Sequence, residues 1–221
     1  MKKQSGFTLI ELAIVLVIIG LLLGGVLKGQ ELINSAKVKN FASDFRNIPI
    51  YIYGYQDKYK ALPGDDSKAV ARVGAAVAGN GDGALGGSWT DSGAGSSSEA
   101  YNFWQHVRLA GLSTGSTDPT VSDWRPTNAD GNPIGIQAGT IDAAKTAILD
   151  KNSKAITGSY VICSKGILGK YVLQLDSTMD NGETDSGSML ATPTEDYGLG
   201  AKATPTASID QAKSYIVCFG V

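Results

Sequence analysis

Across residues 7–27 the chain is apolar, with Glu11 as its only strongly polar member. As a helix rising about 1.5 Å per residue this run is roughly 31 Å long, the thickness of a bilayer core, and it predicts a transmembrane helix. Past Lys28 the apolar positions become periodic: Val38, Phe41, Phe45, Ile48, Ile52, Tyr55 and Tyr59 recur at steps of three and four. Lys37, Lys39, Asp44, Arg46, Asp57 and Lys58 fall on the other face. The helix is therefore expected to continue as an amphipathic segment over 28–60, its stripe covered by a globular head. A dimeric coiled coil is the alternative, disfavoured because only three heptads are sustained before a head begins. Pro49 lies inside the stripe and predicts a kink, since proline costs roughly 3 kcal/mol in a straight helix.

The head, residues 61–221, is read from turn chemistry and short runs. Leu62-Pro63-Gly64-Asp65-Asp66 ends the long helix, and the Gly-rich stretch 79–83 and the Ser/Gly-rich stretch 92–98 are loops. Ser96-Ser97-Ser98-Glu99 fits a capping box opening a helix through residue 110, closed by Gly111. That helix places Tyr101, Trp104 and Arg108 on one side with Phe103 and Val107 beside them. Residues 159–164, 170–176 and 214–220 are rich in Val, Ile, Tyr, Leu and Cys between Gly-containing turns and predict antiparallel strands. The expected class is α+β: a long N-terminal helix packed on a C-terminal antiparallel β-sheet.

Composition narrows the chemistry. Nineteen Lys and Arg against 21 Asp and Glu give a net charge of -2, so no overall basic field exists to hold a nucleic-acid backbone. One histidine and two cysteines leave little material for a catalytic triad or a soft-metal site, and no enzyme is expected. His106 has no second ligand at metal-binding spacing and reads as a packing residue. Trp104 and Tyr101 could form a sugar-binding surface, but aromatic residues at helical spacing are usually core.

Lys2 and Lys3 precede the apolar run, which keeps the N-terminus in the cytoplasm and sends the rest across the membrane. A cleaved secretory signal is the competing reading; its apolar core is shorter and ends in a small-x-small site, whereas this run ends in Gly24-Gly25-Val26-Leu27-Lys28. An ionised Glu11 within hydrocarbon costs roughly 2.5–3.5 kcal/mol. It either snorkels to the nearby surface or stays protonated, or it finds a partner. Were the chain cut after Gly6, Phe7 would carry a free α-amine, and Glu11 of a neighbouring subunit could pair with that cation.

Lys2-Lys3-Gln4-Ser5-Gly6 followed by Phe7-Thr8-Leu9-Ile10-Glu11 resembles the class III leader and mature start of bacterial type IV pilins and type II secretion pseudopilins. The resemblance implies a leader over 1–6, prepilin peptidase cleavage after Gly6, N-methylation of Phe7, and recruitment into a filament through Glu11. It implies a precursor in the inner membrane with a periplasmic head, an assembly platform there, and then a homo-oligomeric helical pilus outside the cell. Many major pilins carry a proline near the end of the apolar run; here Lys28-Gly29-Gln30 occupies that stretch, and Gly20, Gly24, Gly25 and Gly29 are left to soften the helix. The expected function is structural subunit of a type IV pilus, with a minor pilin acting as tip adhesin and a secretion pseudopilin as alternatives.

Export also bears on the remaining residues. Cys163 and Cys218 lie in two predicted strands in a compartment where disulfides persist, and are expected to be bridged, as the resemblance also implies. Two acidic clusters offer hard oxygen ligands to calcium: Asp65, Asp66, Asn80 and Asp82, and Asp176, Asp180, Asn181, Glu183 and Asp185. Neither has full EF-hand spacing. The second is kept as the calcium candidate; otherwise no cofactor is expected.

Overall fold

The computed structural model describes residues 8–92, 98–121, 124–195 and 197–221. The chain divides into two compact units, Met1–Lys37 and Val38–Val221. Helix α1 (Leu9–Tyr59) runs through both, without interruption at its glycines or at Pro49.

In the first unit α1 is apolar on every side and long enough to cross a membrane, and none of that span is buried. In the second unit the same helix is amphipathic. Val38, Phe41, Ala42, Phe45, Ile48, Ile52 and Tyr55 are buried, and Tyr59 is half-buried. Ile50 and Tyr53 remain exposed on the outer face.

The rest of the second unit follows as α2 (Ala69–Val73), α3 (Glu99–Leu109), β1 (Ile134–Ala138), β2 (Ile148–Leu149), β3 (Tyr160–Leu168), α4 (Gly169–Met179), β4 (Met189–Pro193), β5 (Ala201–Lys202) and β6 (Ser214–Gly220). Four strands form an antiparallel sheet in the order β1-β3-β6-β4, while β2 and β5 make a short parallel pair. Because strand side chains alternate between faces, the sheet feeds two cores. Ile134, Ile136, Ile162, Met189, Ala191, Tyr215 and Val217 pack toward α1, α3 and α4. Val161, Cys163, Leu190, Ile216 and Cys218 face the opposite way, under Trp89, Ala147, Ile148, Ile156 and Ala203. Between Ser164 and Ile167 β3 carries one residue more than β6 opposite it, a bulge in which Gly166 takes φ 75°. The extra residue returns Ile167 to the same core as Ile162.

The expected strands at 159–164 and 214–220 are β3 and β6. The expected strand at 170–176 is wrong: those residues lie in helix α4. Gly169, Tyr171, Val172, Leu175 and Asp176 are its buried positions, a spacing of two, one, three and one that belongs to a helix. Over seven residues rich in Tyr, Val and Leu both periods fit, and residue type favoured the strand.

Helix α3 starts at N-cap Ser98, whose hydroxyl accepts from the amide of Tyr101. The expected box is thus corrected: Glu99 sits in the first helical position, and its carboxylate binds a loop instead. Ser96 and Ser97 lie outside the described residues. At the other end Gly111, at φ 76°, ends the helix, with the Leu112 amide donating to Val107 O. All residues from Glu99 to Arg108 are buried, so Tyr101 and Trp104 are core rather than a sugar-binding surface.

Candidate functional site

Gly6 and Phe7, the expected cleavage and methylation positions, lie outside the described residues. Glu11 lies in the first turn of α1. Its Oε2 accepts from the amide of Thr8 and from the Thr8 hydroxyl, both at 2.8 Å, while the Glu11 amide donates to Thr8 Oγ1 at 3.3 Å. This is a reciprocal capping box, which satisfies amides that a helix start otherwise leaves unpaired. The carboxylate is thereby held at the positive end of α1 with two donors of its own chain. The Thr-x-x-Glu spacing of Thr8 and Glu11 before an apolar run is the sequence signal for this box.

Cys163 and Cys218 form a disulfide, pairing directly opposite each other on the two central strands. Both are fully buried, and the bridge ties residues 55 apart in sequence.

The polar side chains of α3 gather the loops around it. The Glu99 carboxylate accepts from the amides of Asn80 and Gly86; Gln105 binds Ala76 N and Thr117 O; Arg108 donates to the carbonyls of Thr114, Ser116 and Trp124. His106 Nδ1 accepts from the Gly64 amide at 2.8 Å, so its Nε2 carries the proton and donates to Val77 O at 3.0 Å. Burial holds the imidazole below its ordinary pKa, and the ring stays neutral.

The first acidic cluster is regrouped. Asp66 turns away to accept from Tyr55 OH, the Lys68 amide and Arg72. Burial pushes its carboxyl up, but these hydrogen bonds outweigh burial and hold it below the usual range. Asp65 takes the amides of Gly81, Asp82 and Gly83, and Glu99 joins in its place. One oxygen each from Asp65, Asp82 and Glu99 lies within 4.8 Å of the others, a spread that a single calcium ion can bridge. Those carboxylates already accept amide hydrogens that fold the loop onto the head.

The second cluster forms the turn between α4 and β4. Asp176 is 1% exposed; its Oδ1 accepts from the Gly182 amide at 2.7 Å, and its Oδ2 is buried without a hydrogen-bond partner. Burial pushes this carboxyl up to about 6, and the charges of Asp180 and Glu183 push the same way. Asp180 Oδ2 accepts from the amides of Ser188 and Met189, Asn181 Oδ1 from the Glu183 amide, and Glu183 Oε2 from the Thr206 hydroxyl. Asp185 takes part through its backbone, accepting from the Lys151 amide. No three of these carboxylates converge as Asp65, Asp82 and Glu99 do.

The family model described as the prokaryotic N-terminal methylation motif matches residues 1–27. No curated protein and no solved structure matches the chain. The matched segment covers the dilysine start, Gly6, Phe7, Glu11 and the apolar run through Leu27. It supports a class III prepilin, type IV pilin-like protein, and a family that is structural rather than catalytic.

Proposed function

We propose, from the class III prepilin motif of residues 1–27, that this chain is the structural subunit of an extracellular type IV pilus and performs no catalysis. The precursor waits in the inner membrane, its N-terminus cytoplasmic beside Lys2 and Lys3 and its head periplasmic. Prepilin peptidase cuts after Gly6 and Phe7 is methylated. At the assembly platform the apolar part of α1 then exchanges lipid for neighbouring copies of itself. Glu11 enters this exchange held by Thr8, and the Phe7 amine of the adjacent subunit adds a full positive charge to it, fixing the axial step. Glycines at 20, 24, 25 and 29, which beyond their own stretch of helix backbone have no atom within 4 Å of where a Cβ would stand, leave room for close helix approach.

The observation that carries this reading is the match over residues 1–27, within which Gly6, Phe7 and Glu11 stand where the reading needs a cut, a methylated amine and a carboxylate. Mass spectrometry of protein sheared from intact cells tests it. Abundant chains beginning at methylated Phe7 are expected; traces of such chains would instead indicate a minor tip pilin or a pseudopilin. A chain that stays uncut and cell-bound would overturn the proposal. Glu11→Ala should insert normally in the membrane, yet lower the sheared yield at least about tenfold, the effect of roughly 1.4 kcal/mol at the docking step.

A further inference from the structure

We propose that Asn80-Gly81 and Asn181-Gly182 are latent sites of spontaneous deamidation, and that the buried carboxylates of Asp65 and Asp176 hold them closed by taking the glycine amides. This is separate from the assembly reading, and neither depends on the other.

The chemistry begins in the sequence. Of the chain's asparagines only Asn80 and Asn181 precede a glycine, the neighbour that least obstructs attack of the backbone on the side chain. In that reaction the glycine nitrogen bonds to the asparagine Cγ and gives its proton to water, the Cγ–Nδ2 bond breaks, and ammonia leaves. A water molecule then opens the cyclic imide, on one side to aspartate and on the other to isoaspartate, whose backbone runs through the side-chain carbon. Either product carries a negative charge where the asparagine had none. Replacing the glycines is no escape for the fold, because Gly81 and Gly182 take φ 79° and 84°, where a Cβ is strained.

Both pairs meet the same three restraints. Gly81 N donates to Asp65 Oδ1 at 2.6 Å and Gly182 N to Asp176 Oδ1 at 2.7 Å, and both aspartates are buried. A proton shared so closely with a carboxylate is not readily given up to water, and the carboxylate's charge disfavours the nitrogen anion that attacks. The asparagine Oδ1 accepts from the amide two residues on, Asp82 for Asn80 and Glu183 for Asn181, each at 2.8 Å. The Nδ2 is held as well, by Asp82 Oδ2 at 3.0 Å and by Ser186 O at 3.3 Å. Ring closure needs the side chain to leave these bonds and turn its Cγ onto the glycine nitrogen, so each bond raises the barrier. Both asparagines are exposed; water reaches them, and it is this bonding rather than burial that keeps them intact. One pair lies between α2 and α3 and the other between α4 and β4, so the two locks share no residue.

The experiment is ageing of the full-length chain in detergent at neutral pH, with deamidation at each asparagine followed by peptide mass spectrometry. Native wild type should lose Asn80 and Asn181 at least about tenfold more slowly than the same chain unfolded in guanidinium, the factor that a hydrogen bond to a charged group represents. Asp65→Ala should speed the loss at Asn80 alone, and Asp176→Ala at Asn181 alone; in each variant the untouched pair reports that the fold has survived. If both variants unfold, amide hydrogen exchange on wild type decides, and Gly81 and Gly182 should then be protected. Native wild type that deamidates as fast as the unfolded chain would overturn the proposal, as would Gly81 and Gly182 amides that exchange as freely as in an unfolded chain. So would folded alanine variants with unchanged rates, or with slower ones, which would make the aspartates bases that promote the reaction.

Discussion

Helix α1 holds two stretches rich in apolar residues, the first the richer, with opposite fates. Leu16 and Leu21 in the first are 69% and 73% exposed; Phe45 and Tyr55 in the second are fully buried. Burial is thus decided by the arrangement of apolar residues rather than by their number. Where they surround the helix, only a lipid bilayer or a ring of neighbouring helices covers them all. Where they form one stripe, a single sheet with α3 and α4 suffices, as Phe41 against Tyr171 and Phe45 against Phe219 show. The first stretch is left to depend on its surroundings, and the second carries its own.

That contrast can be broken most severely at the sheet behind the second stretch. Replacing both Cys163 and Cys218 with serine should cost about 4 kcal/mol on the chain-entropy account. In detergent, chemical denaturation should show the head unfolding early while the helicity of the first stretch persists. Next in size, Ile52→Ala should destabilise the head by roughly 3 kcal/mol, and Leu16→Ala should leave head stability unchanged; equal losses from the two would refute the division. Ser98→Ala removes the cap of α3 and should cost about 1 kcal/mol, measurable as a lower denaturation midpoint with an unchanged slope.

The smallest effect concerns protons. His106 is neutral in the fold, its pKa held below 6.5 by burial, so the unfolded chain takes up a proton first as pH falls. Its contribution is complete above pH 6.5 and declines below it. Asp44 acts in the opposite sense: burial raises its carboxyl from 3.8 to about 6, and its contribution declines as pH rises through that window. The two overlap in a melting curve. NMR separates them, because the chain has one histidine; its ring resonances should titrate with a midpoint below 6.5.

The legible parts of the sequence were those where one pattern ran long. The continuous apolar run, the three-and-four stripe of α1 and the alternating residues of β3 and β6 each admitted one reading. Residues 170–176 were too few to separate two periods, and what decides them is that Tyr171, Val172 and Leu175 share one buried face. The capping residue of α3 was blurred by three consecutive serines, only one of which can be the N-cap. Glu99 was assigned to its own helix when its partners, Asn80 and Gly86, are 13 to 19 residues away. At the candidate site Glu11 stood out because charge is costly in lipid. Thr8 did not, since a threonine among aliphatic residues raises no such alarm.

The strand order has a consequence for synthesis. β3 and β4 never touch each other as neighbours; β6, which follows both in the chain, lies between them and pairs with each. As the chain is made from its N-terminal end, all of the head that precedes Ser214 can gather into local structure but cannot close its four-stranded sheet. Closure waits for Ser214–Gly220, and with them for the second cysteine of the bridge. Until then the head is a half-built object with open strand edges, exposed to any chaperone or protease that meets the growing chain.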